Sequence, residues 1–195
     1  MTREEQKRYK EMKKYLDAKS KECFKKYNLK KKSYAFYVSK NEMFYSVDIS
    51  MNENSIMASF YSKPLWLDDI LWDVLGMSEN KKEPISLRGV GAFAIQSPMK
   101  NEFYRVETTE EIDDAVNKIF KNLTELSENY SENSFLKNYT ELKYQHEIIH
   151  IIVLIHNKEY QKALEILNGD KIHGFIVGGK GFSELAIEYI NAVSV

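Results

Sequence analysis

The sequence predicts an α+β protein: an N-terminal helix, an antiparallel β-meander sheet with packed helices, and a C-terminal helical hairpin region. Three observations lead there. Strand-like stretches at 34–39, 43–49 and 55–61 follow one another with only the turn clusters Lys40-Asn41-Glu42 and Asn52-Glu53-Asn54 between them, which is the pattern of a meander. An apolar stretch of helical period, 65–75, begins directly after Pro64 and stops at Gly76, a residue free to cap a helix in the left-handed conformation. From about residue 131 the composition turns from mixed sheet to helix. The expected division is therefore an α+β domain with a basic N-terminal helix over 1–130 and a helical region over 131–195 packed on it.

Taken in order, Tyr9, Met12, Leu16, Cys23 and Tyr27 return to one face of a long first helix, which Asn28 and the run Lys30-Lys31-Lys32 are expected to stop. In the second strand Val47, Ile49 and Met51 share one face, and Ser46, Asp48 and Ser50 the other, so one side of the sheet is wet or covered by something polar. Gly89 and Gly91 around Val90 suggest a bulge or a close backbone approach before a strand at 92–95. A further strand at 103–107 leads to Thr108 and Glu111, a capping box for a helix carrying Ile112, Val116, Ile119, Leu123 and Leu126. Helices at 136–156 and 159–167, joined by Asn157-Lys158, form a hairpin, and a last helix begins at Phe182.

Composition excludes several classes. Ile151 to Ile155 is the longest uninterrupted aliphatic run, far short of the roughly 20 residues a bilayer demands. The single cysteine, Cys23, rules out an intrachain disulfide and suits a reducing compartment, and the charged first residues do not read as a signal peptide, so a cytoplasmic location is expected. Net charge is −1, but residues 1–32 hold 13 Lys and Arg against 5 Asp and Glu. The lysines surround the first helix instead of lining one edge, and no nucleic-acid-binding motif follows, so nucleic acid is not the expected partner.

Two stretches point to function. On the helix after Pro64, Leu67, Ile70, Leu71 and Val74 form a buried stripe at about 100° per residue, and Asp68, Asp69 and Asp73 fall on the opposite arc with Trp72 among them. An aromatic ringed by carboxylates on an outer face makes an anchor for a protein partner with a basic surface. The competing account is that Trp72 packs under a loop or helix of its own chain. The segment 64–95, from Pro64-Leu65-Trp66-Leu67-Asp68-Asp69 to Arg88-Gly89-Val90-Gly91, resembles small bacterial proteins, some of which act as immunity proteins of toxin systems. That resemblance implies a non-enzymatic protein-binding role, with no cofactor and no catalytic residues.

The second stretch is His146-Glu147-Ile148-Ile149-His150, which resembles the zinc-metallopeptidase motif. In it two imidazoles one turn apart bind Zn²⁺ and the intervening glutamate acts as base on a metal-bound water. By that resemblance the ligands are His146, His150 and His156, and the base is Glu147. Against it stand Val153, where a glycine would let the backbone turn His156 back, and the lack of any methionine after Met99 to lie beneath the metal. The same residues also serve as the polar seam of a buried helix. Gly174 to Lys180 spans a near miss to a phosphate-binding loop, with Gly181 where a hydroxyl is required. The reading adopted is recognition through Asp68, Asp69, Trp72 and Asp73, with a zinc-dependent hydrolase as the alternative.

Overall fold

The computed structural model describes residues 2–141, 147–169, 172 and 174–194. In chain order these form α1 (Arg3–Cys23), β1 (Lys30–Lys32), β2 (Ala35–Lys40), β3 (Met43–Asn52), β4 (Ser55–Pro64), α2 (Leu65–Val74), α3 (Leu87–Val90) and β5 (Pro98–Arg105). There follow α4 (Thr109–Asn129), α5 (Glu132–Glu141), α6 (Glu147–His156), α7 (Tyr160–Gly169), β6 (Ile176–Val177), β7 (Lys180–Gly181) and α8 (Phe182–Val193). The fold is α+β. Among the described residues no helix is long and apolar enough to cross a membrane.

The chain divides into two compact units, one of Met1–Lys63 with Gln96–Glu132 and the other of Pro64–Ile95 with Asn133–Val195. The chain passes between the units at 63/64, 95/96 and 132/133. What the sequence did not place is the excursion 64–95, which leaves the sheet after β4, joins the later helices through the packing of α2 against α6 and α8, and returns to begin β5.

The first unit is a five-stranded antiparallel sheet in the order β1-β2-β3-β4-β5 with α1 and α4 on one face. The turn between β2 and β3 has Asn41 and Glu42 both at positive φ, 52° and 58°, the two-residue geometry whose twist matches that of the flanking strands. Thr2 with Glu5 and Thr108 with Glu111 make capping boxes that satisfy the first amides of α1 and α4. The two helices are tied by Tyr15 and Lys19 to Asp113, at 3.0 and 2.9 Å, and Tyr27, in the 3-10 turn that follows α1, bonds Asn117 at 3.1 Å. Phe36 meets Phe120 of α4 at 4.9 Å between ring centroids, so Phe36 and its cross-strand partner Val47 define the helix-covered face. Lys30 to Lys32, expected only to end the first helix, form the edge strand β1; a short edge of lysines resists pairing with another chain.

In the second unit α6 and α7 pack as the predicted hairpin, turning at Asn157-Lys158 with Lys158 at φ 60°. Ile151 to Ile155 are all buried, which suits a helix with neighbours on several sides. Of the predicted helix over 136–156, the residues up to Glu141 belong to α5 and Glu147–His156 form α6, with 142–146 outside the described residues. No strand forms at 92–95: α3 is a single helical turn, and Ala94 and Ile95 are buried after it. The close approach expected at Gly91 does hold, since a Cβ there would stand 2.6 Å from the Leu87 carbonyl oxygen.

Candidate functional site

The surface expected around Trp72 is not a surface. Asp68 is 0 % and Trp72 1 % exposed. The segment that follows α2 folds back over the acidic arc and meets every group on it. Arg88 donates to the Leu65 carbonyl and to Asp69 Oδ1, both at 2.6 Å, and lies 3.6 Å from Asp68 Oδ2 with its guanidinium 4.8 Å from the centre of the Trp72 ring. The Ile95 amide donates to Asp68 Oδ1 at 2.9 Å, and Trp72 Nε1 donates to the Phe93 carbonyl at 2.6 Å. Asp73 receives Ser78 and Lys81 at 2.7 and 2.6 Å. The acidic arc is thus the inner seam of a self-contained clamp, and its partner is residues 78–95 of the same chain. A helical projection shows which residues oppose the apolar stripe, but not whether a later segment covers them.

The zinc motif is described in part, because His146 lies outside the described residues. Glu147 is exposed, and the His150 ring sits 6.0 Å from that of Tyr139. α6 continues unbroken past Val153, whose carbonyl accepts the Asn157 amide at 3.0 Å. His156 is therefore rotated about 120° from His150, as expected for six residues of α-helix. Its ring lies flat on that of Trp66, with centroids 3.8 Å apart and planes 7° apart. Among the described residues no three His, Cys, Asp or Glu side chains gather as a metal site.

Nor does the glycine turn form an anion site. Gly178 and Gly179 sit at positive φ in the β6–β7 turn, Lys180 pairs with Glu188, and Glu184 occupies the N-terminus of α8 by accepting the Gly181 amide at 2.9 Å. A carboxylate already held there repels a phosphate. A cleft of about 520 Å³ beside α1 is floored by Met12, Met51 and Val106. Its polar groups serve the fold: Tyr9 donates to the Met51 carbonyl, Arg8 to the Glu107 carbonyl, and Glu5 closes the cap of α1.

The arrangement that the fold leaves unanswered is on the face of the first unit's sheet opposite α1 and α4. Directly paired residues of antiparallel strands share a face. Asp48 stands opposite Ala35, Ser46 opposite Tyr37, Ser59 opposite Asn101 and Met57 opposite Phe103. The Glu102 row belongs to the other face, where Asn122 of α4 donates to its carboxylate at 2.9 and 3.1 Å. On this face Phe44 and Ser46 of β3 and Ala35 and Tyr37 of β2 are buried, and exposure begins only at Asp48 and Ser50; Phe103 is 69 % and Tyr34 57 % exposed, and Tyr61 is half-buried.

Asp48 is half-buried on this face, and among the described residues no hydrogen-bond donor or cation meets its carboxylate. Burial alone pushes its carboxyl up to about 6. Tyr61 is raised as well, first by burial and next by the neighbouring Asp48 charge, with Tyr34 adding to it and a bond with the Ser59 hydroxyl opposing it. Tyr34, Asp48, Ser59 and Tyr61 are therefore one electrostatic neighbourhood. Sequence reasoning assigned Asp48 to the wet face but not to a site. The available signal was a lone carboxylate between Ser46 and Ser50 on an otherwise well-patterned strand.

Comparison with protein families, with curated proteins and with solved structures finds no match for this chain.

Proposed function

We propose that the chain is a non-enzymatic recognition protein that docks a protein partner with a basic surface at the exposed part of its five-stranded sheet around Asp48 and Phe103. An immunity-type inhibitor of a bacterial toxin is the class of protein this describes. The observation that carries the reading is Asp48: a half-buried carboxylate that no cation meets among the described residues, at the margin of the exposed part of its sheet face, where Phe103 is open to solvent. A desolvated charge left unpaired lowers stability. Its retention is accounted for when a second molecule supplies the missing cation. Exposed aromatic groups around a charged centre make the anchors and rim of a protein interface.

Site-directed photo-crosslinking in the native host tests this. A benzophenone amino acid at Phe103 should give one discrete protein adduct, and the same group at Lys121, an exposed position on α4, should not. Adducts that are identical from both positions, or none from Phe103, remove the sheet face as the docking surface.

A further inference from the structure

The two edges of the five-stranded sheet differ. β1 is a short run of three lysines, and a second copy of it would set lysine against lysine. β5 is longer, and its charges are answered within the chain: Lys100 pairs with Glu102 and Arg105 with Glu107. The Val106 amide donates to the Asn54 carbonyl at 2.8 Å, one step beyond the Ser55–Arg105 pair. Bonded and unbonded pairs alternate along an antiparallel ladder, so Glu102 and Tyr104 bond β4, whereas Asn101, Phe103 and Arg105 turn their N–H and C=O groups outward. All three of these residues are exposed, and among the described residues no other segment bonds their outward groups.

Going beyond the docking role, we infer that β5 pairs antiparallel with β5 of a second copy of this chain, about a two-fold axis through Phe103, joining two sheets into one. In that register Phe103 faces its own copy, Asn101 faces Arg105 and Glu102 faces Tyr104. No like charges meet, and every outward amide finds a carbonyl. The Phe103 rings, 69 % exposed in the single chain, lie side by side across the axis. Neighbouring registers are worse. An axis through Glu102 sets two carboxylates against each other. An axis through Tyr104 calls on the Glu107 amide and carbonyl, which Glu111 and Arg8 already hold. An axis through Asn101 carries Arg105 past the irregularity where β5 leaves register beside Tyr61. Pairing along the edge leaves the sheet face uncovered, so the docking surface around Asp48 and Phe103 is extended across two copies and not blocked.

Sedimentation equilibrium of the full chain from about 1 µM to about 1 mM reads the association, and the mass should climb from 22.9 kDa toward twice that value. Asn101 is exposed, so changing its charge tests the register without disturbing the fold. Asn101→Asp, set against Arg105 of the other copy, should tighten the dimer about threefold to tenfold, and Asn101→Lys should loosen it by a similar factor. Asn101→Pro lacks the outward N–H but keeps the bonds to β4, and should leave the chain monomeric at about 100 µM. A mass that stays at 22.9 kDa throughout, or an Asn101→Asp chain that associates no more tightly than Asn101→Lys, overturns the inference. A crosslink from Phe103 to a different protein, in a chain that sediments as a monomer, leaves docking standing and removes the pairing; a dimer whose only adduct is with its own copy does the reverse.

Discussion

Asp68 and Asp48 are both carboxylates drawn out of water, one in each unit, and the protein treats them in opposite ways. Asp68 is held by the Ile95 amide and the Arg88 guanidinium, and the ring of Trp72 completes the enclosure. Asp48 has no such companion, and its carboxyl rises to about 6. Glu102, in the sheet of Asp48 but on its helix-covered face, sharpens the contrast. Burial pushes its carboxyl up, but Lys100, Tyr104 and Asn122 together outweigh that and hold it below the usual carboxylate range. A buried acid with matched donors is part of the scaffold, whereas one without them is a standing cost that calls for a partner. The residues that looked most like a binding surface in sequence are of the first kind.

The largest expected effect separates those two kinds directly. Arg88→Ala leaves Asp68 and the Leu65 carbonyl buried without their cation and should lower unfolding free energy by about 3–5 kcal/mol, read as a fall in the urea midpoint. A loss near zero would mean that the clamp does not hold α2. Asp48→Asn should do the reverse, stabilising the protein at pH 7.5 by about 1–2 kcal/mol once the remaining solvent contact of the carboxylate is allowed for. The folded-state pKa of Asp48 lies above its ordinary value of 3.8, so its protonated form is the one the fold favours. The stabilisation this brings is full below pH 4 and is lost as pH rises through about 6. The advantage of the asparagine variant should accordingly shrink on acidification and disappear by about pH 4. An asparagine variant that is less stable at pH 7.5 would reveal an intramolecular partner for Asp48.

Smaller effects bear on the faces of the sheet. Phe103→Ala should change stability by less than about 0.5 kcal/mol, because the ring is exposed, and should weaken capture of the crosslinked partner at least tenfold. An equal loss of partner from Lys121→Ala would show that the sheet faces are not functionally distinct. For the zinc alternative, purified protein should carry less than roughly a tenth of an equivalent of zinc, and neither added zinc nor chelator should shift its melting temperature. A stoichiometric metal would transfer the functional centre to the motif containing His150.

Elements whose signals are local were readable from the chain. Thr108 with Glu111, Gly76 at φ 68° and the Asn41-Glu42 turn depend on residues within a few positions of each other, and each appears where the sequence implied it; the wet face expected along β3 does not appear in full, because Ser46 is buried with Phe44 and Val47. The failures share a cause. The lysine run of β1 is a strand because β2 offers it a partner, and residues 92–95 are not a strand because no partner is there. Trp72 projected outward from α2 and was buried by residues some twenty positions later. Asp48 projected outward from β3, and among the described residues no later donor or cation meets its carboxylate.

Amphipathic spacing, capping residues and the proline and glycine at the ends of α2 were enough to set the α+β class and the order of the principal elements. They act through the backbone geometry of neighbouring residues, which is encoded one stretch at a time. Which polar groups are answered was decided only when distant segments came together. Desolvation depends on everything packed around a charge, and a period along one helix or strand carries no record of what folds over it.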